Sequence, residues 1–220
     1  MFRIKICGVT DVADAVHAAR CGADAIGLNF YEKTPRCVSP ETAAKIARAL
    51  PANVVKVGVF VNAAIDHVRE TVARIPLDAV QLHGDEGADA ESALSGIPVI
   101  RVYRHGCAGV DVLDQLLQEC RRRGRLPDAL LVDAYRSDSY GGTGQAIDWR
   151  QLPEIRRRAG SLPLILAGGL TPDNVGEAIR IACPDGVDTA SGVETAPGRK
   201  DPVLVERFIS VALAAQRKQA

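Results

Sequence analysis

Cys7 closes the first apolar run of the chain, Ile4-Lys5-Ile6-Cys7, and a helix-forming stretch begins almost at once at Asp11. A thiol carried by a strand into a loop is well placed for chemistry, although free cysteine is also a common buried space-filler. Asp133 similarly ends the run Leu130-Leu131-Val132. A carboxyl there either bonds turn amides or, when desolvated in a site, retains a proton and acts as a general acid. Three glycine segments add a third kind of chemistry: Gly141-Gly142-Thr143-Gly144, Ala167-Gly168-Gly169-Leu170 and Ser191-Gly192-Val193-Glu194. Glycines let backbone N–H groups approach an oxyanion closely, and a helix N-terminus adds positive potential. Thr171 and Pro172 fit the cap and first turn of such a helix. Arg36, in Thr34-Pro35-Arg36-Cys37, either stands solvated or grips a second anionic group, such as a carboxylate, through two parallel hydrogen bonds.

The elements that must position these residues follow one another regularly. Eight short runs rich in Val, Ile and Leu begin at Ile4, Ala25, Val54, Ala79, Val99, Ala129, Leu164 and Val187, and each is followed by a stretch with helical spacing of apolar residues. Near-continuous apolar strands joined by helices pair in parallel and are covered on both faces. Eight such units without a Pro/Gly/Ser-rich linker predict a single-domain (β/α)₈ barrel of the TIM type over residues 1–220, with an open doubly wound sheet as the alternative. The residues at the ends of the runs are then Cys7, Asn29, Asn62, His83, Arg104, Asp133, Gly168 with Gly169, and Ser191 with Gly192. In a barrel they converge on one mouth. Glycine segments after the seventh and eighth strands match the phosphate site frequent in this fold, so a small phosphorylated substrate is expected, held by Gly142, Gly144, Gly168, Gly169, Ser191 and Gly192. His83 either joins the substrate-binding set or makes a structural hydrogen bond. Trp149 is expected to pack the sixth helix on the barrel.

Composition narrows the function classes. Of 220 residues, 47% are hydrophobic and 25% charged, with 27 basic against 27 acidic residues, which gives no bias toward nucleic acid or a membrane surface. Arg121 to Arg123 and Arg156 to Arg158 read as solvated helix faces. No stretch approaches the ~20 apolar residues of a membrane span, and the expected location is the cytoplasm. Six scattered cysteines and four histidines lack ligand spacing, so no metal and no disulfide framework are expected. A monomer and a homodimer are both compatible with the chain.

Strand alternation puts Lys5 and Cys7 on one face, and closure sets the first strand beside the eighth, which carries Asp188. A buried Lys5–Asp188 pair beneath the mouth is therefore expected, with the ammonium biasing Cys7 toward thiolate.

Taken in order along nearly the whole chain, Lys5-Ile6-Cys7-Gly8-Val9-Thr10, Thr34-Pro35-Arg36-Cys37-Val38-Ser39, Gln81-Leu82-His83-Gly84, Gly141-Gly142-Thr143-Gly144 with Asp148-Trp149, Ala167-Gly168-Gly169-Leu170 and Ser191-Gly192-Val193-Glu194 resemble the phosphoribosylanthranilate isomerase family of tryptophan biosynthesis. The resemblance implies a cofactor-free Amadori rearrangement in which Cys7 is the general base, Asp133 the general acid, Arg36 the holder of the anthranilate carboxylate, and the glycine segments the holders of phosphate. That chemistry needs one acid for the ring oxygen and one base for the adjacent sugar C–H. Two other readings remain: a related sugar isomerase or lyase on the same barrel, and a phosphate-ligand binding protein without turnover. An amine-dependent aldolase would want a lysine where the sixth strand offers Asp133.

Overall fold

The computed structural model describes residues 2–105, 110–134 and 149–218. Eight strands pair in parallel in chain order: β1 (Ile4–Cys7), β2 (Ala25–Asn29), β3 (Val55–Phe60), β4 (Ala79–Leu82), β5 (Val99–His105), β6 (Ala129–Ala134), β7 (Leu164–Leu166) and β8 (Gly186–Thr189). β8 closes on β1, so the sheet is a barrel and the open alternative falls. The returning helices are α1 (Val12–Cys21), α2 (Pro40–Ala49), α3 (Ile65–Arg74), α4 (Ala90–Ala93), α5 (Asp111–Arg122), α6 (Leu152–Ala159), α7 (Val175–Ala182) and α8 (Pro202–Arg217). Side chains set several of their starts. Asp11 accepts from the Asp14 amide at 2.9 Å to cap α1, Ser39 caps α2 ahead of Pro40, and Asp201 caps α8 ahead of Pro202.

The two-residue period of the strands sorts their side chains. Ile4, Ile6, Ile26, Leu28, Leu130, Val132, Leu164, Leu166 and Val187 pack with helix residues such as Ala15, Ile46, Ile155 and Phe208. Ala25, Val57, Ala79, Ile100, Ala129, Leu131 and Ile165 form a separate cluster inside the barrel. Each inward series ends at the mouth: Ala129 and Leu131 lead to Asp133, Ala79 and Gln81 to His83, and Lys5 to Cys7.

The opposite end of the barrel carries a repeated device. Asp24, just before β2, accepts from the Arg3 and Ile4 amides at 3.1 Å; Asp78, before β4, accepts from Lys56 at 2.8 Å. Asp128, before β6, accepts from Val99 at 2.8 Å, and Asp185, before β8, from Leu164 at 2.7 Å. Each carboxylate thus serves an amide at the start of the preceding strand, and each also faces a cation, Arg3, Lys56, Arg125 or Arg156. The aspartates tie the strands in pairs.

Some boundaries depart from the sequence expectation. β5 runs past Val102 to His105 because its pairing with β6 continues through Arg104 opposite Asp133; polar residues masked the strand's length. α7 starts at Val175, and Thr171 and Pro172 sit outside it. The Thr171 carbonyl accepts from Asn174 at 3.2 Å while Asn174 Oδ1 accepts from the Thr171 amide at 2.8 Å, so a turn held by Asn174 precedes the helix. After β8 comes an unexpected hairpin of β9 (Glu194–Ala196) and β10 (Arg199–Lys200). Among the described residues no helix is long and apolar enough to cross a membrane. Trp149 packs against the main core. Arg122 and Arg123 pair with Glu119, and Arg157 and Arg158 with Glu154, on the helices' outer faces.

Candidate active site

An open cavity lies at the C-terminal ends of the strands, lined by Cys7, Arg36, His83, Asp133, Asp188, Gly168, Gly169 and Ser191 among others. Most of the expected site residues therefore meet at one place. Gly142 and Gly144 lie outside the described residues. Gly192 does not line the cavity. A Cβ on it would lie 1.9 Å from the Leu170 carbonyl oxygen, so its bareness lets the loops after β7 and β8 touch. Asn62 and Arg104 do not line the cavity either: Asn62 Oδ1 accepts from the Asp85 amide at 2.7 Å, and Arg104 pairs with Asp85, which fixes the loop after β4.

The side built by β1 and β8 is cationic and dry. Lys5 is fully buried and donates to Asp188 Oδ1 at 3.0 Å, across the register that sets the two residues opposite each other. Burial opposes the Lys5 charge, but Asp188 and Cys7 together hold its ammonium above the usual lysine value. Burial also pushes the Asp188 carboxyl up, with Lys5 opposing. The expected pair is present, and Lys5 pulls Cys7 toward thiolate as expected, but burial acts against it. Burial pushes the Cys7 thiol up, and the pull of Lys5 in the other direction, helped by Lys200, does not overcome it. The thiol form is favoured, because desolvation penalises the anion more than the ammonium groups reward it. Gly27, opposite Cys7 on β2, makes room for both side chains: a Cβ there would lie 2.7 Å from Cys7 Sγ and 3.1 Å from Lys5 Cε.

The side built by β4 and β6 works through an imidazole. Nε2 of His83 stands 3.3 Å from Asp133 Oδ2, and the Gln81 amide lies 2.8 Å from His83 Nδ1. The Gln81 contact at Nδ1 orients the ring so that Nε2 faces the carboxyl. Asp133 is 6% exposed, so the carboxyl meets the cavity while shielded from bulk water. β6 is three strands from β1 by way of β7 and β8, which puts Asp133 across the mouth from Cys7.

Two further parts flank these sides. Gly168 and Gly169 have φ of 84° and 65°, left-handed backbone that glycine adopts freely, and Asn174 Nδ2 donates to the Gly169 carbonyl at 2.9 Å to hold their loop. Arg36 is not a solvated loop arginine. Its Nε and Nη2 donate to Glu194 at 2.9 and 2.6 Å, and Glu194 also accepts from Lys200 Nζ at 2.8 Å. Glu194 was visible in sequence only as the end of a glycine segment and Gln81 only as part of the motif around His83, and nothing signalled Lys200 or Gly27 as neighbours of the site. Among the described residues no group of three or more His, Cys, Asp or Glu side chains could hold a metal ion.

Comparison with known proteins bears on what this arrangement does. Residues 4–211 match the family model described as N-(5'phosphoribosyl)anthranilate (PRA) isomerase. The N-(5'-phosphoribosyl)anthranilate isomerase of Geotalea uraniireducens is 46% identical over 212 residues, covering 96% of this chain and 98% of the relative. The phosphoribosyl anthranilate isomerase structure from Thermotoga maritima superposes with a TM-score of 0.84 at 36% identity, over 97% of this chain and all of that one. A phosphoribosyl anthranilate isomerase solved with reduced 1-(o-carboxyphenylamino)-1-deoxyribulose 5-phosphate gives a TM-score of 0.81 at 35% identity, with the same coverage.

Proposed function

Because the chain belongs to the N-(5'-phosphoribosyl)anthranilate isomerase family, and so catalyses the Amadori rearrangement of tryptophan biosynthesis, we propose that Cys7 is its general base and Asp133 its general acid. The enzyme converts N-(5-phosphoribosyl)anthranilate to 1-(2-carboxyphenylamino)-1-deoxyribulose 5-phosphate. The observation that carries the assignment is the delivery of a thiol by β1 and a carboxyl by β6 into one cavity, on opposite sides of its mouth.

The reaction divides between them. Protonated Asp133 gives its proton to the ring oxygen as the C1–O bond breaks, leaving an iminium at C1. The iminium acidifies the C2–H bond. Cys7 thiolate takes that proton, and the C–H electrons form the enolamine, which tautomerises to the ketone as C1 gains a proton and the C2 hydroxyl loses one. His83, with its Nε2 beside Asp133, is suited to hold that carboxyl in place through both of its protonation states. Cys7 works against burial. A thiol held above its ordinary value is a scarce thiolate but a stronger base, and the new iminium adds positive charge to that of Lys5 and Lys200.

Gly168, Gly169 and Ser191 are proposed to hold the phosphate and Arg36 the anthranilate carboxylate, so both ends of the substrate are fixed while its centre reacts. Every proposed group comes from one chain, so a monomer or a homodimer would serve, and the setting is that of a cytoplasmic enzyme. The decay of anthranilate fluorescence with purified protein and freshly made substrate tests the reading. Rapid decay with wild type and slow decay with Cys7→Ser are expected; no decay with wild type would return the protein to the binding-protein reading.

A further inference from the structure

Arg36, at the mouth, belongs to a buried charge cluster whose third member, Glu194, has no part in the reaction as described above. The Arg36 guanidinium, the Glu194 carboxylate and the Lys200 ammonium have side chains only 13%, 4% and 1% exposed. Two cations share one anion, and one positive charge is left over in a nearly dry place. Unbalanced buried charge is costly, and it persists where a ligand supplies the missing partner.

The geometry shows which cation is left with capacity. Lys200 Nζ is taken up by Glu194 Oε1 at 2.8 Å and by the Ala190 carbonyl at 3.0 Å. Arg36 gives Nε and Nη2 to Glu194, and its Nη1 has no partner among the described residues. A guanidinium clamped along one edge presents its other edge in a fixed orientation. The stem is fixed as well. Gly8, at φ 68°, lies so close under it that a Cβ there would come 2.5 Å from Arg36 Cδ. Gly8 follows Cys7 directly, so the clamp is set beside the thiol.

The hairpin carrying Glu194 is itself anchored. The Lys200 amide donates to Asp14 Oδ2 at 2.9 Å, the Gly198 amide to Glu194 Oε1 at 3.2 Å, and Thr10 Oγ1 to the Gly198 carbonyl at 2.5 Å. The loops after β1, β2 and β8 are thereby joined behind Arg36.

We propose that Glu194, backed by Lys200, is a positioning residue that locks the Arg36 fork for one planar carboxylate, and so sets the preference for a substrate whose aromatic ring bears that group. The proposal rests on the assignment of Arg36 to the substrate carboxylate. Glu194 touches Arg36 and not the reacting atoms. Its effect therefore falls on affinity for the carboxylate end.

The test compares two ligands: the reduced product analogue, and the same molecule with phenyl in place of carboxyphenyl. Glu194→Gln is expected to weaken the first by about tenfold or more and the second by less than about threefold, with KM rising more than kcat falls. In an Arg36→Met background, Glu194→Gln should add less than about twofold. Equal weakening of both ligands, or a full loss that persists without Arg36, would overturn the proposal in favour of a merely structural latch. Should Glu194→Gln fail to fold, Lys200→Met removes the surplus charge while sparing the Arg36–Glu194 pair, and the same selective loss is expected; its absence would likewise overturn the proposal. Arg36→Met alone must abolish the discrimination between the two ligands. If it does not, the carboxylate assignment falls before the role of Glu194 is reached.

Discussion

The two ends of this barrel are built on different principles. At the end where the strands begin, Asp24, Asp78, Asp128 and Asp185 perform one task four times, each accepting from a strand's first amides and facing a nearby cation. At the mouth nothing repeats. Cys7, Arg36, His83 and Asp133 come from four different elements, and several of the groups around them carry charge into burial. Repetition at one end spreads stability over small, independent contributions, whereas the other end concentrates unlike groups whose loss cannot be shared. Lys5 and Asp188 lie between, just beneath the mouth, and should matter to both.

Substitutions can break that division. Cys7→Ala and Asp133→Asn are each expected to lower kcat by about a thousandfold or more, while affinity for the product analogue stays within about tenfold in equilibrium titration. Lys5→Met should cross the boundary. It leaves Asp188 buried without its partner, at a cost of about 3–5 kcal/mol in denaturant unfolding, and it lowers turnover. Lys5→Met with Asp188→Leu should recover stability without recovering turnover. The pH dependence of kcat/KM sharpens the base side. Since burial holds the Cys7 thiol above its ordinary value, the thiolate fraction grows about tenfold per pH unit below that value. The profile of kcat/KM should still be climbing at pH 8.5; a plateau reached by pH 7 would mean that the ammonium groups win.

Gly27→Ala pushes a methyl against Cys7 Sγ, and a fall in kcat of about tenfold with a loss of about 1–3 kcal/mol is expected. Smallest is Asp128→Ala, at the other end. It should cost about 1 kcal/mol, a drop of about 2–4 °C in Tm, with kcat unchanged. A loss of turnover there without loss of stability would erase the contrast between the ends.

How much of this could be read from sequence follows the same division. The barrel was legible because eight apolar runs alternate with helical spacing, and so were Cys7, Asp133 and the Lys5–Asp188 pair, since a two-residue period and closure fix which side chains share a face. What stayed hidden depends on side chains meeting across loops. Arg36 was legible as a candidate carboxylate grip, but its partner Glu194 was not, because it lies far along the chain in a hairpin whose strands are three and two residues long and carry no apolar run. Gly27 carries no signal of its own in sequence, because its role depends on Cys7 and Lys5 filling its space. The pull of Lys5 on Cys7 was legible, but not the burial that outweighs it, because sequence shows which charges are near and not how thoroughly water is excluded. The four aspartates had a signal, an Asp just before Ala25, Ala79, Ala129 and Gly186, that strand spacing alone does not interpret.

The central claim is that Cys7 and Asp133 divide the reaction, the thiolate taking the C2 proton and the carboxyl opening the ring. Single-turnover rates with substrate carrying hydrogen or deuterium at C2 test this division directly. In Cys7→Ser the C–H step becomes slowest, and a primary isotope effect of several-fold is expected. In Asp133→Asn ring opening becomes slowest, and the ratio should fall close to one. A large isotope effect in Asp133→Asn with none in Cys7→Ser would contradict the account.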